Sequence, residues 1–128
     1  MTQVRAIRGA TTLDEDTIEQ LNERVPTLVS QMMSSNALVA ADLISILFTA
    51  TSDIRAGFPA AAARTLGLSD TPVMCAREME IPGSLGLCVR VMMHAHSDRA
   101  KDEMVHVYLH GARVLRPDLV ATVEGDDR

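Results

Sequence analysis

The chain has 128 residues and a formal net charge of −5, with 47% hydrophobic but only 2% aromatic residues. That composition suits one domain whose core is built from Val, Leu, Ile, Ala and eight Met. An acidic balance with no basic run argues against nucleic-acid binding, and Asp42 and Asp53 break the longest apolar stretches, which argues against a membrane span.

Val4 to Thr12 reads as a first strand, entered with no signal-peptide apolar region before it. Alternation places Val4, Ala6, Arg8 and Ala10 on one face. Gly9 lets backbone or ligand come close to Arg8; otherwise Arg8 simply reaches solvent at the strand end. Thr12 with Glu15 three residues on has the form of a capping box. It predicts a helix to about Ser35, with Ile18, Leu21, Val25, Leu28, Val29, Met32 and Met33 at helical spacing. Pro26 predicts a kink there. Val39 to Asp42 is a turn. Leu43 to Thr51 is continuously apolar and predicts a strand buried on both sides. Phe58 to Gly67 predicts a second helix, with Pro59 in its first turn and Gly67 as its C-cap. Phe58 there is either a helix staple or the wall of a pocket.

Chemistry concentrates in Pro72 to Met93. Thr71 to Ala76 predicts a short strand, and Leu85 to about His96 another. Glu78 interrupts the first apolar segment, Arg90 sits inside the run Leu87 to Met93, and Ile81-Pro82-Gly83-Ser84 is a turn signal between them. The simplest reading is two strands joined by a loop, with an acid at one end and a cation inside. A buried arginine needs an anion. Either Glu78 supplies it as a structural ion pair, or a small anionic ligand does, held also by Arg8, Tyr108 and Arg116. Cys88, Arg90, Met92, His94 and His96 share one face; two histidines without further company do not make a metal site. Cys75 and Cys88 form no CxxC and no metal spacing, and the expectation is a reduced, cytoplasmic protein.

Ser97 to Glu103 is a charged connection, and Val105 to His110 predicts a last strand carrying the lone tyrosine, Tyr108, opposite Val105, Val107 and Leu109. A mobile C-terminal tail is expected from about residue 117. The order strand, helix, strand, helix, strand, strand, strand predicts one α+β domain, a mixed sheet with helices packed on one side. No P-loop, GxGxxG or nucleophile elbow is present.

Arg8-Gly9-Ala10-Thr11-Thr12, Phe58-Pro59-Ala60, Pro72-Val73-Met74-Cys75, Glu78-Met79, Cys88 to Met93, His106-Val107-Tyr108-Leu109 and Leu115 to Leu119 occur in that order. Together they resemble the trimeric α+β class of chorismate mutase, distinct from the all-helical class, from about residue 4 to residue 119. The resemblance implies a homotrimer with a pseudo-α/β-barrel arrangement and active sites between subunits. It implies isomerisation of chorismate to prephenate, an intramolecular Claisen rearrangement in the shikimate pathway to the aromatic amino acids, with no cofactor and no metal.

The resemblance also distributes roles. Arg90 would face the ether oxygen and a carboxylate, Arg8 and Tyr108 would hold carboxylates, and Glu78 would accept from the ring hydroxyl. Phe58, Ala60, Val73, Met74, Cys75, Ala76 and Arg77 would line the pocket, with Leu115 and Arg116 closing over it. Members of the class carry a lysine where this chain has Ala61; Arg64, one turn on, is the candidate to replace that cation. Met74 stands where a smaller polar residue is expected, and Arg77 departs as well. A non-catalytic trimeric module that binds a small carboxylate would use the same arginines. A deaminase on a similar trimer is disfavoured by the Glu78-to-Arg90 pattern and by Tyr108.

Overall fold

The computed structural model describes residues 1–115; Arg116 and the tail from 117 lie outside the described residues. Seven main elements follow in the predicted order: β1 (Gln3–Thr12), α1 (Ile18–Ser35), β2 (Leu43–Ala50), α2 (Pro59–Ala63), β3 (Val73–Arg77), β4 (Cys88–Ser97) and β5 (Val107–Tyr108). The strands form one sheet in the order β3-β2-β4-β1-β5. β4 runs antiparallel to both β1 and β2, while β3 and β5 join the outside in parallel.

In that order β3 and β4, the two strands joined by a loop, are separated by β2. α2 carries the chain back so that β3 enters parallel to β2, as a helical crossover requires. β4 then pairs on the other edge of β2, so the loop after Glu78 passes the end of β2 instead of closing a hairpin.

Alternation decides which face is covered. Ile7, Ile46, Phe48, Val89, Val91 and Met93 point to one side and form one cluster with Leu21, Val25, Leu28, Val29 and Met32 of α1 and Ala62 and Ala63 of α2. Each large apolar side chain so buried stabilises the fold by about 1.5–3 kcal/mol. A side chain at Gly9 would strike the Met32 thioether, so this glycine is what lets α1 lie close on β1.

β2 is not buried on both sides. Ile46 and Phe48 are covered, but Leu47 between them is 39% exposed on the opposite, open face. The helices cover one side only, and the hydrophobicity of Leu47 belongs to the other.

Two further boundaries differ from expectation. Thr12 is no helix cap: it ends β1 paired with Cys88, and its Oγ1 accepts from the Gly111 N–H at 2.9 Å. The cap is Thr17, whose Oγ1 accepts from the Gln20 N–H at 3.2 Å. α1 runs on through Pro26, with Val25, Leu28 and Val29 buried on either side of it. The last strand is only Val107–Tyr108. Buried Asn36 takes both Val105 backbone groups, donating to its carbonyl at 2.9 Å and accepting from its N–H at 2.8 Å. At the other end His110 has φ 53 and turns the chain into the 3-10 segment His110–Leu115.

Candidate active site

Register builds the site. Across the open face, Ala76 of β3 pairs with Thr49, Thr49 with Arg90, Arg90 with Ala10, and Ala10 with Tyr108. The next row is Met74, Leu47, Met92 and Arg8. Paired residues project to the same side of a sheet, so side chains that are remote in sequence meet over β4 and β1. Between them opens a cleft of about 330 Å³ lined by Arg8, Thr49, Glu78, Arg90, Tyr108 and Leu115, with apolar walls from Leu47 and Met92.

Glu78 follows directly on β3 and is fixed by its N–H, which donates to the Ala50 carbonyl at 2.9 Å. Its Oε2 lies 3.4 Å from Nε of Arg90 and accepts a hydrogen bond from the Thr49 hydroxyl. Arg90 is not inside the core, as its apolar neighbours suggested. Val89 and Val91 point to the helices, and the Arg90 side chain between them is 45% exposed in the cleft. A half-exposed single contact of this kind is worth little as a structural ion pair. Arg8 carries no ion pair among the described residues; its backbone N–H donates to Nδ1 of His106 at 3.0 Å. Tyr108 is 8% exposed, packed with Ala10, Ala112 and Leu115 under the 3-10 segment. Two guanidinium groups and a phenol thus converge on one concavity with one carboxylate, an arrangement suited to a small anion that also bears a hydroxyl.

Beside the cleft, burial pushes the Cys88 thiol up, and the charge of Arg90 offsets this only in part. It stays a protonated, inert side chain. His94 and His96 continue the open face, and among the described residues no group of three or more His, Cys, Asp or Glu gathers to hold a metal.

The other expected residues lie elsewhere. Phe58, Cys75, Ala76 and Arg77 line a groove between α2 and β3, while Ala60, Arg64 and Val73 line a second one toward Leu68. Met74 is 64% exposed and Phe58 73%. Among the described residues β3 is the sheet edge, paired only with β2, and most of its residues are exposed. Arg116 lies outside the described residues, and Leu115 reaches the cleft.

Thr49 was missed by sequence reasoning. A signal was present: Ser45, Thr49 and Thr51 fall at alternate positions of the run with Leu47, opposite Ile46 and Phe48, and this period of two marks the open face.

Comparison with known proteins identifies the family. Residues 4–119 match the family described as Chorismate mutase type I. The chain is 42% identical over 120 residues to Chorismate mutase AroH of Bacillus subtilis (strain 168), covering 93% of this chain and 94% of the relative. It is 41% identical over 117 residues to Chorismate mutase AroH of Thermus thermophilus, covering 91% and 96%. Among solved structures, a chorismate mutase from Clostridium thermocellum superposes with a TM-score of 0.83 at 47% identity, over 85% of this chain and 97% of that one.

Proposed function

Because the chain belongs to the type I chorismate mutase family, we propose that it acts as a homotrimer in the cytoplasm, each active site joining two protomers. The activity itself is that of a chorismate mutase, an isomerase of aromatic amino-acid biosynthesis. The observation that carries the site assignment is the single cleft holding Arg8, Glu78, Arg90 and Tyr108, which come from distant parts of the chain.

The rearrangement of chorismate to prephenate needs no nucleophile and no proton transfer. An ether C–O bond breaks as a C–C bond forms, and negative charge grows on the ether oxygen. The protein has two tasks: to hold the compact conformer and to set fixed positive charge where charge develops. Even a millionfold acceleration asks for about 8 kcal/mol of transition-state stabilisation. Arg90 meets the ether oxygen, being permanently charged and a rigid fork of donors. Arg8 and Tyr108 bind carboxylate, and Glu78 accepts from the ring hydroxyl. Leu47 and Met92 give the ring an apolar floor.

The rest of the pocket comes from a neighbour. Phe58, Ala60, Val73, Met74 and Cys75 stand at the β3 edge and the α2 mouth, outside the cleft of their own protomer. An open sheet edge with exposed apolar side chains is a surface that a second chain covers. In a closed trimer every edge would meet a neighbour's cleft. Arg64 lies on that rim and supplies a cation there, next to Ala61.

The test is cofactor-free conversion of chorismate to prephenate by the purified protein, followed by Arg90→Ala. Loss of turnover with an unchanged melting temperature is expected. Wild-type turnover in the variant would remove Arg90 from the mechanism, and saturable binding of chorismate without conversion would favour the carboxylate-binding module.

A further inference from the structure

One residue of the cleft has no part in the scheme above. Thr49 faces Arg90 across the β2–β4 pair, and its hydroxyl donates to Oε2 of Glu78. The same oxygen lies 3.4 Å from Nε of Arg90. One oxygen of the carboxylate is thus engaged twice, while Oε1 has no hydrogen bond among the described residues.

We propose that Thr49 is a positioning residue for the reaction, holding Glu78 by Oε2 so that Oε1 meets the substrate hydroxyl and Arg90 keeps its outer donors for the ether oxygen. The inference rests on the reading of Glu78 and Arg90 as substrate-contacting groups.

The physical reason lies in what an arginine and a carboxylate do when left alone. They prefer the forked arrangement, two parallel N–H···O bonds. In the cleft that arrangement would turn both oxygens of Glu78 to Arg90 and draw its guanidinium away from the substrate. A third group on Oε2 opposes this rotation. Thr49 is well placed to be that group. It stands on a strand paired on both sides, with β3 and with β4, and its branched side chain has few rotamers. The sheet therefore fixes the hydroxyl, the hydroxyl fixes the carboxylate, and the Glu78 N–H bond to Ala50 fixes the backbone beneath it.

Thr49→Val keeps the shape and removes the donor; Thr49→Ser keeps the donor and removes the methyl. Steady-state kinetics with chorismate and thermal melting would be measured for both, beside Glu78→Gln. The expected result for Thr49→Val is a kcat lower by about tenfold, the scale of one hydrogen bond to a charged group, with KM changed much less. Thr49→Ser should retain kcat within about twofold, and both should melt with the wild type. If Thr49→Val keeps wild-type kcat while Glu78→Gln is impaired, the positioning role is overturned and the site reading stands. If Glu78→Gln also keeps wild-type kinetics, the site reading itself fails. Thr49→Ser as slow as Thr49→Val, or a lowered melting point with unchanged kcat, would make Thr49 a packing residue and overturn the inference.

Discussion

The cleft over β4 and the rim along β3 belong to the same sheet, separated only by β2, yet they are finished to different degrees. In the cleft, β1, β2, β4 and β5 bring Arg8, Thr49, Arg90 and Tyr108 together through register alone, and Glu78 is tied in by two partners. On the rim, Phe58 and Cys75 line one groove and Val73 another, Met74 lines neither, and Phe58 and Met74 are largely exposed. The difference teaches where each half gets its order. Backbone pairing within one chain fixes the charged half, since a one-residue slip would send every side chain to the other face. The apolar half has no such neighbour among the described residues, and we propose that another protomer completes it.

The largest expected effect tests the finished half. Arg90→Lys keeps a charge but not the fork of donors, and kcat should fall by about a hundred- to a thousandfold, as for loss of a group aimed at developing charge. Near-normal turnover in Arg90→Lys would mean that a point charge suffices. Next comes the division between the halves. Arg90→Ala spoils the cleft and Phe58→Asp the rim, and each variant alone should be nearly inactive. Refolding the two chains together should restore activity, because some sites would then pair an unaltered cleft with an unaltered rim. A mixture no more active than its parts would place both halves in one protomer.

A smaller effect concerns the thiols. Cys75 on the rim is half-buried and Cys88 fully buried with its thiol pushed up. A thiol reagent at neutral pH should label Cys75 alone, and bound chorismate should slow that labelling. Equal rates with and without chorismate would separate Cys75 from the site. The smallest effect lies far from both halves. Arg24 holds the exposed Asp14 carboxyl below its ordinary value of 3.8, through a hydrogen bond and its charge, at 2.9 Å. A depressed carboxyl stabilises the fold above the unfolded value and stops doing so as pH falls through the folded one. Asp14→Asn should therefore narrow the stability difference from wild type only at acid pH, and added salt should shrink the effect at neutral pH. An undiminished difference below pH 3 would show that the effect is not electrostatic; that pH is roughly a unit under the ordinary aspartate value.

The order of elements was legible because their periods are local. Helical spacing from Ile18 to Met32 and alternation from Cys88 to Ser97 each need only a dozen or so neighbouring residues to be read. Pro59 marked the start of α2 for the same reason, and Gly67, at φ 73, ends the 3-10 turn Arg64–Leu66 into which the helix tightens after Ala63. The candidate site was legible through Arg8, Glu78, Arg90 and Tyr108, charged or polar residues set in apolar runs, and these four do share one cleft.

What the sequence determined alone is which residues face together along each strand and helix, since backbone geometry sets those periods whatever the surroundings. What the tertiary structure decided is everything that depends on a neighbour far along the chain. Thr12 stays in β1 because Cys88 pairs with it, leaving Thr17 to cap α1. Val105 leaves the sheet because Asn36 binds both of its backbone groups. Arg90 is a cleft residue and no core cation because the helices cover the opposite face of β4. Thr49 acquires a task only where β2 brings it beside Glu78. Such contacts join segments tens of residues apart, and their free energy exists only once the sheet has closed.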